Sequence, residues 1–201
     1  MMENTRLQRS FFNRNTLEVA RDLLGKRLVK VENGKRIGGL ISEAEAYRGE
    51  EDQGCHAKAG CTPRTQVMYG PPGHAYVYFT YGVHWMLNAV CEGEGFPAAV
   101  LIRAIWPAEG VQVIAARRSP QPRKLWTDGP AKLCQALAID GSFNRADLCT
   151  PGAVLFIEDG KPVPDQAVTT GPRVGFNNVP EPWLSMPWRF LVAPGYFNTG
   201  V

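Results

Sequence analysis

The dipeptide Asn33-Gly34 constrains the fold of this chain more tightly than any other feature. A two-residue hairpin turn of the I′ type needs positive φ at both central positions, and Asn-Gly meets that demand at low cost. The residues before it, Arg27 to Glu32, alternate like a strand, and those after it lead into a second strand from Gly39 to Tyr47. That second strand carries Glu43 and Glu45 two positions apart, so both carboxylates share one face. An acidic loop, Gly49-Glu50-Glu51-Asp52, follows, and then His56. The plain reading is a solvated edge strand with a charged face, because charged side chains are mostly exposed. The chemical reading is a stiff mount that aims carboxylates at a site.

The remaining segments fill in a sheet with few helices. Asn15 to Leu24 reads as a helix, with Asn15 and Glu18 at capping-box spacing and Gly25 as its stop. His74 to Thr80 and Trp85 to Cys91 read as paired strands about a Tyr81-Gly82 turn, and Ala98 to Ala104 as a further strand, apolar except for Arg103. Glu109 to Arg118 and Gly129 to Ile139 are predicted helices, the second capped by Asp128 with Pro130 in its first turn. Ala153 to Glu158 and Trp188 to Ala193 read as later strands. Strands and helices do not alternate regularly. The expected class is therefore α+β, a single compact mixed domain around a curved antiparallel sheet with a protruding β-hairpin. Residues 1–10 are expected to form a disordered N-terminal tail, and residues 11–201 the domain. Sixteen prolines and 21 glycines imply a loop-rich surface, where binding sites are often built.

Composition narrows the function classes. The chain has 201 residues, 44% of them hydrophobic, enough for a sizeable core. No apolar run approaches the roughly 18 residues needed to cross a membrane, and Met1 to Asn15 are polar, so a cytoplasmic location is expected, nucleoid-associated in a bacterium. Five scattered cysteines argue against a disulfide framework, and no CxxC or HxxxH spacing supports a metal. The net charge of +3 is a mild tilt. No P-loop, GxGxxG or nucleophile-elbow motif is present, which removes the common nucleotide-dependent enzymes.

Four positions invite a chemical reading. Tyr81 stands at a tight turn, where an aromatic is poorly placed to fill a core; it either covers neighbouring loops or acts as a wedge between base steps. Arg103 in its apolar strand needs an acidic partner, as a structural ion pair or as a group that orients a carboxylate, a water or a phosphate. His56 is either a satisfied hydrogen-bonding residue or part of a site with Glu45 and Tyr47. No lysine stands out as a Schiff-base nucleophile, and Lys58 in the loop is the one left open for that role.

Several ordered motifs then point one way. Glu43-Ala44-Glu45-Ala46-Tyr47, Glu51-Asp52, His56 and Thr62-Pro63-Arg64 open the series. Pro72-Gly73, Tyr76-Val77-Tyr78, Tyr81-Gly82, Asn88 and Leu101-Ile102-Arg103-Ala104 continue it, and the run from Gly129 to Leu137 and Arg173-Val174-Gly175 close it. Together, over roughly residues 12–193, the chain resembles the alkyladenine (3-methyladenine) DNA glycosylase family. The resemblance implies a monofunctional glycosylase that flips alkylated or deaminated purines out of duplex DNA and hydrolyses them off. The damaged purines expected are 3-methyladenine, hypoxanthine and ethenoadenine types, and no metal or nucleotide cofactor is implied. It also implies a monomer that binds damaged double-stranded DNA, with an abasic-site endonuclease acting downstream. Glu45 would be the general base for the attacking water, and Arg103 would help hold that water. Tyr47 and Tyr78 would sandwich the purine, with His56 on the wall. Asn88 would crowd the amino group of undamaged guanine, Val174 and Gly175 would line the water and sugar side, and Tyr81 would fill the gap in the duplex.

The chain departs from the family pattern at Thr65, at Gln53 to Cys55 and at Val83 to Trp85, which touches loop stiffness and groove contacts. Three competing functions are a non-catalytic module for distorted nucleic acid, a glycoside hydrolase using Glu43 and Glu45 as its carboxylate pair, and a lyase acting through Lys58.

Overall fold

The computed structural model describes residues 6–176 and 178–198. Its frame is a long hairpin: β1 (Arg27–Glu32) and β2 (Lys35–Arg48) pair antiparallel about Asn33-Gly34, both with positive φ as the I′ turn requires. Three further strands, β3 (Ala75–Thr80), β4 (His84–Val90) and β5 (Ala98–Glu109), extend the sheet on one side, and β6 (Leu155–Glu158) extends it beyond β1. The order is β3-β4-β5-β2-β1-β6, with β7 (Val168–Gly171) and β8 (Arg189–Val192) attached to β2 through β8. Every recorded strand pair is antiparallel.

Strand β2 is the spine, not an edge. One side pairs with β5 from Gly38 to Arg48, while the other pairs first with β1 and then, at Glu43 to Glu45, with β8. The solvated edge strand considered from the sequence is thus replaced by a strand flanked on both sides. The β2–β5 register is irregular around Glu43: Ile41 faces Ile105, Glu43 faces Ala104 and Ala44 faces Ile102. Ser42 on one strand and Arg103 on the other are left without a partner, two offset bulges that restore the register. A bulge re-aims the side chain it carries, and here that side chain is the arginine.

The two faces of the sheet separate core from site with the period of two that strands impose. On one face Ala44, Ala46, Val77, Leu87, Ala89, Val100 and Ile102 join the main core. The helices α2 (Thr16–Asp22), α3 (Val111–Arg118) and α4 (Pro130–Leu137) supply Val19, Ala20, Ile114, Leu133 and Leu137 to it. Each such aliphatic side chain contributes about 1.5–3 kcal/mol by burial. On the other face Tyr76, Val90 and Ala99 form a smaller cluster with Cys55, Ala57, Val67 and Met68, and Tyr47 and Tyr78 pack against it. Glu43, Glu45 and Asn88 alternate onto this second face.

Some boundaries differ from those expected. Strand β5 runs five residues past Ala104, so α3 begins at Val111. Gly129, not Asp128, is the N-cap of α4; Asp128 instead pairs with Lys132 at 2.9 Å. Asn15 caps α2 as its side chain accepts from the Leu17 N–H, but the helix closes at Asp22. Of the tail expected to be disordered, residues 1–5 lie outside the described residues. The expectation does not hold for residues 6–10: Arg6 bridges to Glu158, Leu7 is buried and Arg9 opens the short helix α1 (Arg9–Phe12), its guanidinium paired with Asp147. Among the described residues, no helix is long and apolar enough to cross a membrane.

Candidate active site

The second face of the sheet opens into a cavity of about 290 Å3. Tyr47, His56, Tyr78, Tyr81, Asn88, Arg103, Val174 and Gly175, eight of the nine residues singled out from the sequence, line it. The ninth, Glu45, sits behind the lining and is fully buried. Its Oε1 accepts from the Val174 backbone N–H at 2.7 Å and lies 3.3 Å from Arg103 Nε, and its Oε2 accepts from the Tyr47 hydroxyl at 2.8 Å. Burial pushes the Glu45 carboxyl above the ordinary glutamate range, with Glu43 adding to the rise, while Arg103, the Val174 N–H and the Tyr47 hydroxyl pull it back. Burial and the neighbouring Glu45 hold the Tyr47 hydroxyl well above its usual range, so it stays protonated and available as a donor.

Glu43, on the same face, does not line this cavity. Its Oε1 accepts from Arg103 Nε at 2.7 Å and from Arg189 Nε at 2.6 Å, and it lines a separate hollow with Ser42 and Trp106. The two-carboxylate sugar reading loses its second group to this ion pair. Lys58 donates to the Gln53 carbonyl at 2.8 Å and does not line the cavity.

The aromatic wall comes from two elements. Tyr76 and Tyr78 project from β3 with ring centres 5.3 Å apart, and His56 meets Tyr78 edge-on at 4.6 Å. His56 Nδ1 lies 2.9 Å from the Tyr76 hydroxyl. Burial, with Arg64 and Lys58 adding to it, lowers the His56 pKa to about 4, so the ring is neutral at pH 7. The Arg64 guanidinium lies 5.2 Å from the Tyr78 ring centre. Asn88, opposite Tyr76 in the β3–β4 register, donates from Nδ2 to the Tyr76 carbonyl at 2.9 Å, which fixes its rotamer. At the hairpin tip Tyr81 is 82% exposed with φ +52°, and Gly82 follows, also with positive φ.

A buried ion pair ties the loops around the cavity to β2. Asp52 accepts from Arg173 Nη1 at 2.5 Å and from Nη2 at 2.7 Å, and both side chains are shielded from solvent. The Arg173 guanidinium also packs on Tyr47, Phe176 and Trp188 at 4.7–5.0 Å and donates to the Ala46 carbonyl. The pair thus fixes the acidic loop to the segment carrying Val174. Gly54 completes the joint: a Cβ there would lie 2.3 Å from Phe176 and 2.8 Å from Arg173 Nη2. The departures have local roles. Thr65 Oγ1 donates to the Gly60 carbonyl at 2.7 Å, bracing its loop, and the Trp85 ring lies tilted against Phe79, centres 4.6 Å apart.

Sequence reasoning missed the lining residues Met68, Tyr76, Met86, Leu101, Pro130 and Phe176 as site members. Tyr76, Met86 and Leu101 carried a usable signal, each standing two residues before a singled-out residue of its own strand, Tyr78, Asn88 and Arg103.

Comparison with known proteins fixes the class first: the chain is a DNA glycosylase, a hydrolase of N-glycosidic bonds whose substrate is DNA. It belongs to the methylpurine-DNA glycosylase (MPG) family, whose model matches residues 10–195. A Myxococcus xanthus protein named "Putative 3-methyladenine DNA glycosylase" is 47% identical over 186 residues, covering 92% of this chain and 89% of its own length. Proteins of the same name from Methanocella arvoryzae (48% identical, 92% and 90% covered) and Clostridium acetobutylicum (45% identical, 93% and 94% covered) are also similar.

Proposed function

We propose that the chain, with residues 11–201 acting as one domain, takes a damaged purine out of the DNA stack into the aromatic cavity and hydrolyses its glycosidic bond there. Chemistry on a base inside a duplex requires extruding it, at a cost of a few kcal/mol. Tyr81, exposed beside the cavity mouth, fills the gap left behind. The purine lies between Tyr47 and Tyr78, against neutral His56. Water attacks C1′, the bond to the purine breaks with its electron pair going to the base, and Glu45 takes the proton lost by the water. The product is an abasic site with an intact strand, which a downstream endonuclease would process.

The observation that carries this reading is the set of contacts on Glu45. A general base must be ionised, and burial alone opposes ionisation. The Val174 N–H, the Tyr47 hydroxyl and Arg103 all favour the charged form and offset part of the rise that burial causes, leaving Glu45 surrounded by donors at the cavity. An electron-rich aromatic sandwich favours cationic alkylated purines such as 3-methyladenine. Neutral lesions, hypoxanthine and ethenoadenine, leave only when the base is protonated. Asn88, held by the Tyr76 carbonyl, cannot swing aside for the amino group of guanine.

The test is a labelled duplex carrying one hypoxanthine or ethenoadenine, and in parallel a methylated duplex, each followed by hot alkali. Strand cleavage at the lesion only after alkali is expected. Cleavage without alkali would indicate a lyase, and tight binding with no base released from any of these duplexes would indicate a non-catalytic module.

A further inference from the structure

We propose that Glu43 and Arg189 are positioning residues for this reaction, an ion pair that aims Arg103 at the cavity and sets the charge balance around Glu45. The inference rests on Glu45 being the general base. Two arginines approach β2 from opposite sides, Arg103 from the bulge in β5 and Arg189 from β8, where it sits directly opposite Glu45 in the register. Both donate through Nε to the same atom, Glu43 Oε1, at 2.7 and 2.6 Å. Arg103 therefore reaches Glu45 at 3.3 Å while anchored by Glu43. Its side chain is 12% exposed and lines the cavity, whereas Glu43 does not.

The charges around Glu45 can be read element by element. Strand β2 contributes Glu43 and the Tyr47 hydroxyl, β5 contributes Arg103, β8 contributes Arg189, and β3 contributes the Tyr78 hydroxyl. The loop after β7 contributes the Val174 N–H and Arg173, the latter matched by Asp52. Two carboxylates and two guanidiniums are left, a balanced set. Removing Glu43 deletes a negative charge near Glu45 and leaves Arg103 to pair with Glu45 alone. Removing Arg189 deletes a positive charge and leaves Glu43 to draw Arg103 away. The two removals therefore act on Glu45 in opposite directions, an outcome that loss of a merely structural contact does not produce.

The test is the pH profile of single-turnover purine release from a methylated duplex, corrected for spontaneous loss, in the intact protein and in Glu43→Gln, Arg189→Gln, Arg189→Lys and Glu45→Gln. The acid limb is expected to move down in Glu43→Gln and up in Arg189→Gln, each on the order of 0.5–1 pH unit. Arg189→Lys keeps the charge and returns the limb toward its original position. If both limbs stay in place, or both move the same way, the proposal is overturned. Arg189 is partly exposed, so its Gln and Lys variants decide the matter alone should Glu43→Gln fail to fold. Glu45→Gln separates the two readings: full release by that variant sinks the assigned base, whereas loss of release with unmoved limbs sinks only the tuning.

Discussion

Deleting the Asp52 carboxylate should cost stability and activity by separable routes. In Asp52→Ala the Arg173 guanidinium stays buried with its counter-charge gone, and the Gly54 N–H loses an acceptor at 2.9 Å. Breaking one side of a buried pair costs about 3–5 kcal/mol. A chain of this size loses about 2–4 °C of melting temperature per kcal/mol, so the fall should be roughly 6–20 °C. Removing both charges, as in Asp52→Leu/Arg173→Met, should recover much of that loss, because an apolar replacement of a buried ion pair is often neutral. The thioether also suits the aromatic faces of Tyr47, Phe176 and Trp188 that now hold the guanidinium. Excision should stay low in the double variant, since the bidentate tie that places Val174 against Glu45 is gone. Thermal unfolding and single-turnover release, measured on both variants, separate the two effects. A single variant that melts within about 2 °C of the parent, or a double variant that excises at the parent rate, would refute the reasoning.

Other outcomes follow from the same geometry. Tyr81→Ala should change stability by no more than about 0.5 kcal/mol, as expected for an exposed position. It should slow excision by roughly 5- to 150-fold, because stacking by an aromatic is worth about 1–3 kcal/mol; an unchanged release rate would remove Tyr81 from the reaction. The lowered pKa of His56, about 4, makes stability depend on acidity. Below about pH 6.5 the unfolded chain binds a proton that the folded imidazole refuses, so stability should drop as pH falls toward 4, by up to roughly 3 kcal/mol. Chemical denaturation of the parent and of His56→Asn across this range checks it, and a parent curve as flat as the variant's would contradict it.

What the sequence made legible was local chemistry. Asn33-Gly34 announced its hairpin because positive φ at two successive residues is a demand few dipeptides meet. Arg103 stood out because a lone cation in an apolar strand must find a carboxylate, and it found two. The strand period correctly put Glu43 and Glu45 on one face, but spacing could not tell which one serves the cavity. What distinguishes them in the structure is long-range: Glu43 is paired with Arg189 of β8, 146 residues away, while Glu45 accepts from the Val174 N–H. The Asp52–Arg173 tie spans 121 residues and has no local signature, so the residue that holds the loops together was seen only as part of a motif. Phe176 and Gly54 matter through mutual fit, which no periodicity reports. Asp128 had the right side chain for a cap, but Pro130 at the first helical position set the helix start one residue later, at Gly129.

The most direct measurement of the central claim is single-turnover release of 3-methyladenine from a methylated duplex by the parent and by Glu45→Gln, with duplex binding measured on the same samples. The account predicts that Glu45→Gln binds the duplex as the parent does and releases no base above the spontaneous rate. Release by Glu45→Gln at the parent rate would contradict it, and would move the general base to some other group at the cavity.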